Sequence, residues 1–119
     1  MAKKILLVDD DVRILKSLGR YLRGAGYQVN EASDGDEAAR LFTEDRFDLV
    51  LSDVMMPGVN GLELLERIRT VAPETPVVLI SGFADLNRSL AIKRGAADLI
   101  MKPFDPADLV SKLKHLLQR

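Results

Sequence analysis

The sequence predicts an α/β protein with one parallel sheet, and three observations carry that reading. Short, almost wholly apolar runs at residues 5–8, 49–51 and 77–80 have the composition of strands buried on both faces. Between them lie segments with apolar residues at helical spacing, several of them opened by capping residues and stopped by glycine or proline. Strand and helix alternate five times with short connections. That alternation implies parallel pairing through right-handed crossovers, with helices on both faces of the sheet.

Taken in order, residues 5–8 form the first strand, which runs into Asp9, Asp10 and Asp11. Asp11 is suited to cap the next helix, whose Leu15, Leu18 and Leu22 share a face and which Gly24 and Gly26 stop. Residues 27–32 alternate apolar and polar, as a less buried edge strand would. Asp34 with Glu37 three positions on has capping-box spacing, and the helix it opens turns Ala38, Leu41 and Phe42 inward. The third strand ends at Asp53 and breaks into a Met-Met-Pro-Gly turn. Asn60 and Glu63 repeat the cap-and-box pattern ahead of a helix with Leu62, Leu65 and Ile68 on its apolar face. The run 77–80 ends at Ser81-Gly82, and a helix from about 84 to 93 follows, with Leu86 and Leu90 inward and Gly95 closing it. Residues 97–101 form the last strand, ending at Lys102-Pro103. Asp105 and Pro106 open a final helix that faces Leu109, Leu113 and Leu116 inward. Four nearly all-apolar strands and one alternating strand suit an open sheet of flavodoxin-like order 2-1-3-4-5, and residues 1–119 read as one domain.

Composition removes several function classes. At 47% hydrophobic and 29% charged, the chain is ordinary for a folded domain. A net charge of −1 gives no sign of a nucleic-acid or anionic-membrane surface. The absence of cysteine excludes disulfides, thiolate metal sites and cysteine nucleophiles. The single histidine, His115, cannot build a histidine-rich metal site and reads as a surface residue near a helix C-terminus. The apolar runs fall far short of the roughly 20 residues of a membrane helix. The first of them ends at Asp9, too soon for a signal peptide, so a cytoplasmic protein is expected.

The unusual polar residues sit at the carboxyl ends of the strands, where the crevice of an open α/β sheet lies. Asp9 and Asp10 end the first strand, Asp53 the third, Ser81 the fourth and Lys102 the fifth. Three converging carboxylates repel one another, and an oxygen-only site suits a hard cation such as Mg²⁺. A carboxylate beside a cation can attack phosphorus and form an aspartyl phosphate. Mg²⁺, Lys102 and the Ser81 hydroxyl are the charges and donors that a transferred phosphoryl group needs. Each residue also has a plainer reading, the acids as helix caps, Ser81 as a turn residue, Lys102 as a solvated loop. Independent turns would not put these residue types on four of five matched strand ends. Asp34, Asn60 and Asp105 stay structural caps. Other functions compete. An aspartyl-nucleophile phosphatase would want a second acid two residues after the nucleophile, where Met55 stands. A nucleotide- or flavin-binding domain would want glycines, not three acids, at the first strand–helix junction. A scaffold without chemistry would not keep the whole acid, hydroxyl and lysine set.

The segments 6–11, 48–58, Asn60-Gly61, Ile80-Ser81-Gly82, 95–98 and Lys102-Pro103-Phe104 together resemble the CheY-like receiver domain of bacterial two-component response regulators, over the whole chain. The resemblance implies that Asp53 is the phosphoacceptor, charged by a sensor histidine kinase or a histidine phosphotransfer protein. It implies that Asp10, Asp53 and the backbone carbonyl of Met55 ligate Mg²⁺, with Asp9 acting mostly through water. Ser81 would be the switch hydroxyl, Lys102 would pair with the phosphoryl group, and the Lys102–Pro103 bond would be cis. Phosphorylation would remodel the surface made by the fourth helix, fifth strand and fifth helix, to control an effector domain or protein and in some settings to form a homodimer. The chain would not be an enzyme beyond its own phosphoryl transfer and slow self-dephosphorylation. Direct binding to nucleic acid or membrane is not implied. Many family members carry Tyr or Phe three residues before the lysine as a rotamer switch. Leu99 stands there, with no ring to swing and no hydroxyl. Met55 and Phe83, two residues beyond Asp53 and Ser81, border the path of the hydrolytic water in the family, and both are apolar here.

Overall fold

The computed structural model of the protein describes residues 2–82 and 86–118. Strands β1 (Lys4–Val8), β2 (Gln28–Ala32), β3 (Leu49–Asp53), β4 (Val77–Ser81) and β5 (Asp98–Met101) alternate with helices α1 (Val12–Gly24), α2 (Gly35–Glu44), α3 (Gly61–Val71), α4 (Arg88–Lys93) and α5 (Pro106–Leu117). All strand pairs are parallel and the order is β2-β1-β3-β4-β5. The expected fold class is the observed one. Among the described residues no helix is long and apolar enough to cross a membrane.

Because side chains alternate along a strand, each central strand contributes to two cores. Ile5, Leu7, Leu49, Leu51, Val78 and Ile80 pack with α1 and α5 on one face. Leu6, Val8, Val50, Val77, Leu79 and Leu99 pack with α2, α3 and α4 on the other. This is why the strand runs are apolar throughout, as double-sided burial requires.

The capping residues act as their positions suggest. Asp11 accepts from the Arg13 N–H, Asp34 from Glu37, and Asp105 from Ala107, with Pro106 at the first helical position. Asn60 and Glu63 form a complete capping box. Glu37 instead accepts from the Ser33 N–H at 2.8 Å, one residue before the cap.

Several details differ from the sequence reading. On α3 the buried residues are Leu64, Leu65 and Ile68, while Leu62 is only partly buried. Leu41, Phe42 and Leu116 likewise lie at the margins of the two cores. The largest departure is α4, which begins at Arg88 behind the cap Asn87, well after the expected start; Ala84 itself lies outside the described residues. Leu86 is buried before the helix starts, Ala91 is the buried residue within it, and Leu90 is 41% exposed. A six-residue helix has too few turns to fix its inner face from apolar spacing.

Candidate functional site

The carboxyl ends of β1 and β3 lie side by side because the strands pair in register, with Val8 opposite Ser52. The next residues, Asp9 and Asp53, therefore share one rim. Their carboxylates and that of Asp10 place one oxygen each within 4.8 Å of one another. β4 sets Ile80 beside Asp53, so the buried Ser81 follows at the adjacent strand end. β5 pairs Met101 with Ser81, and the Lys102 N–H donates to the Ser81 carbonyl at 2.9 Å. Lys102 Nζ thereby reaches 3.1 Å from Asp53 Oδ2 and 3.7 Å from Asp9 Oδ2. The Lys102–Pro103 peptide bond is cis, as expected.

The acids differ in their surroundings. Asp10 is exposed, whereas Asp9 and Asp53 are buried. Asp9 Oδ1 accepts from the Asp11 N–H at 2.9 Å. Its Oδ2 is fully buried and has no hydrogen-bond partner among the described residues. Burial pushes the Asp9 carboxyl from its ordinary 3.8 up to about 6. The Asp11 N–H and the Lys102 charge oppose that rise, and the charges of Asp53 and Asp10 add to it. For Lys102, desolvation pulls the ammonium down, but the hydrogen bond and charge of Asp53, with the charges of Asp9 and Asp10, hold it above the usual lysine range.

This donor set fits a hard divalent cation. It offers carboxylate oxygens only, carries more negative charge than Lys102 balances, and holds a buried oxygen with no hydrogen-bond partner among the described residues, Lys102 lying 3.7 Å from it. Asp9, Asp10 and Asp53 are the side chains that could hold such an ion. Met55 lies on the loop after β3 with its side chain 52% exposed.

Two supports of Asp53 were not evident from sequence. The Ser52 hydroxyl, buried in β3, donates to the Asp53 carbonyl at 2.9 Å. Gly61 packs so closely that a Cβ there would lie 2.3 Å from the same carbonyl oxygen. A serine inside an otherwise apolar strand was the available signal for the first. Phe83 falls outside the described residues.

The model of the family described as "Response regulator receiver domain" matches residues 5–114. The chain belongs to that family. The receiver domain is 40% identical over 117 residues to the transcriptional regulatory protein ResD of Bacillus subtilis (strain 168), covering 98% of this chain and 48% of ResD. It is 39% identical to a CpxR homolog of Haemophilus influenzae, covering 98% of this chain and 51% of that one. It thus spans about half the length of the curated relatives it matches. Among solved structures, a CheY-like receiver domain protein from Methanospirillum hungatei JF-1 superimposes with a TM-score of 0.93 at 36% identity, covering 99% of this chain and 95% of that one. A BeF₃-activated DrrB receiver domain gives 0.89 at 34% identity, with complete coverage of both chains. Phosphorylation signalling is the general function of such domains, and these relatives are regulators rather than classical enzymes.

Proposed function

We propose that residues 1–119 form one receiver domain, acting in the cytoplasm, that is switched by a phosphoryl group on Asp53. The donor is a sensor histidine kinase or a histidine phosphotransfer protein. An Asp53 carboxylate oxygen attacks phosphorus. The new O–P bond forms as the P–N bond to the donor histidine breaks, and the leaving imidazole takes a proton from solvent. Asp10, Asp53 and the Met55 carbonyl would hold Mg²⁺, with Asp9 acting through water. When bound, Mg²⁺ supplies positive charge that offsets the oxygens brought together in the transfer. Lys102, already at hydrogen-bond distance from Asp53 Oδ2, follows the added oxygens, and the Ser81 hydroxyl donates to another of them. One added group with close to two negative charges then biases the arrangement of α4, β5 and α5. That surface controls an effector domain or partner protein, or pairs with a second phosphorylated copy.

The observation that carries this reading is the meeting of Asp9, Asp10 and Asp53 within 4.8 Å, with Lys102 Nζ 3.1 Å from Asp53 Oδ2. Incubation with Mg²⁺ and acetyl phosphate should add one phosphoryl group by intact mass. The adduct should vanish in Asp53→Asn and when the metal is chelated. An adduct that survives Asp53→Asn would refute the assignment, and repeated turnover of a phosphomonoester would indicate a phosphatase instead.

Dephosphorylation should be slow, because the Met55 side chain cannot hydrogen-bond a water beside the acyl phosphate. Met55→Asn offers an amide there and should speed phosphoryl loss several-fold. An unchanged decay rate of the phosphorylated protein counts against this view.

A further inference from the structure

The fourth helix is the shortest of the five and has little buried apolar surface to hold it. α1 buries Leu15, Leu18 and Leu22, and α3 buries Leu64, Leu65 and Ile68. α4 has only six residues and buries Ala91 alone, with Leu90 and Ile92 41% and 46% exposed. Isolated helices shorter than about 12 residues are marginal in water, so tertiary anchoring decides whether such a segment holds its place. Charge supplies that anchoring at both ends. Arg88, the first helical residue, places Nε 3.0 Å from Asp98 Oδ1 on β5. Arg94, the C-cap, places Nη2 2.9 Å from Glu66 Oε1 on α3.

The two pairs differ in weight. Arg94 and Glu66 are both well exposed, and such surface pairs contribute little. Asp98 is only 7% exposed and accepts from the Leu99 N–H at 2.8 Å, and among the described residues the cation paired with it is Arg88, whose own side chain is 64% exposed. A buried carboxylate whose one cation departs loses its compensation, so this pair, buried on its carboxylate side only, is the stronger of the two.

β5 connects this anchor to the site. Asp98 opens the strand, and Lys102, directly after its last residue, donates to Asp53. Between them Leu99 is 4% exposed and fixed in the same core as Ala91. A packed leucine has no rotating ring to carry a signal along β5, and the charged contact at the strand's other end is a further tie between β5 and α4. On the reading that Asp53 is phosphorylated, we propose that the Arg88–Asp98 pair is a charge latch. It fixes α4 on β5 while Lys102 is bonded to the bare Asp53 carboxylate, and it opens when Lys102 is drawn to a phosphoryl group.

Hydrogen exchange read by mass spectrometry over residues 89–95 tests this in wild type, Arg88→Ala and Asp98→Asn, with and without beryllofluoride and Mg²⁺. Without beryllofluoride, both variants should exchange about tenfold faster in α4 while β1 and β3 stay protected. Arg88→Lys, which keeps the charge, should fall between them and wild type. Beryllofluoride should raise wild-type α4 exchange toward the variants' level and add nothing to the variants. Unchanged α4 exchange in both variants overturns the latch, as does a full wild-type increment persisting in them. Fluorine NMR separates the two readings. Bound beryllofluoride with unmoved α4 exchange in wild type sinks the latch and leaves Asp53 standing, whereas no binding sinks the Asp53 reading and the coupling built on it.

Discussion

Gly61→Ala should lower the unfolding free energy by about 2–4 kcal/mol, seen as an earlier urea midpoint with an unchanged slope. Gly61 opens α3, and its N–H donates to the Val54 carbonyl at 2.8 Å. A Cβ would lie 2.3 Å from the Asp53 carbonyl oxygen and 2.8 Å from Val54 Cα. Both are backbone atoms, so no side chain can rotate away, and α3 must lift from the end of β3. Alanine's better helix propensity returns at most about 1 kcal/mol. Gly24, at the end of α1, is the control, because a Cβ there meets nothing within 4 Å. Gly24→Ala should leave stability nearly unchanged. Equal effects at the two positions would show that close approach is not what Gly61 provides. Since the strained atom belongs to Asp53, Gly61→Ala should also slow phosphoryl uptake from acetyl phosphate.

Without divalent cation, Asp9 should make the protein less stable as pH rises from about 4 to about 6. Its carboxyl is raised in the fold from 3.8 to about 6, mainly by burial. The protonated form is therefore the favoured one in the folded state. That contribution is fully present below the unfolded value and is lost as pH climbs through the folded value. The span corresponds to about 3 kcal/mol at 1.36 kcal/mol per pH unit. Other carboxylates change stability in the opposite direction, so the quantity to follow is the difference between wild type and Asp9→Asn. Chemical denaturation in chelator at pH 4 and pH 7 should show wild type losing ground to the variant. Adding Mg²⁺ at pH 7 should restore wild type and leave Asp9→Asn much less affected, because the ionised carboxylate is what the cation favours. A pH-independent difference would mean that Asp9 is solvated in the folded protein.

The sheet and the strand-end residues were legible because both follow from local pattern. Double-sided burial writes continuous apolar runs. Once such runs pair in parallel, the residue after each run must fall on a common rim. Asp9, Asp53, Ser81 and Lys102 therefore came together from sequence alone. Features that depend on distant atoms were not legible. The burial of Asp9 Oδ2 and the Arg88–Asp98 pair each depend on elements that no local pattern connects. Gly35 and Gly61 look like ordinary first-turn residues, yet each meets backbone from a neighbouring segment. α4 departs from its apolar spacing for a different reason. Apolar spacing over so short a helix is set by chance as easily as by packing, and its inward residue is an alanine.

The sheet also acts as a septum. The core under α1 and α5 and the core under α2, α3 and α4 share strands but no side chains. Substitutions on opposite sides should therefore add in free energy, as those at separated sites do. The two layers are modular. The core on one side of the sheet can be repacked while the core on the other side stays as it is.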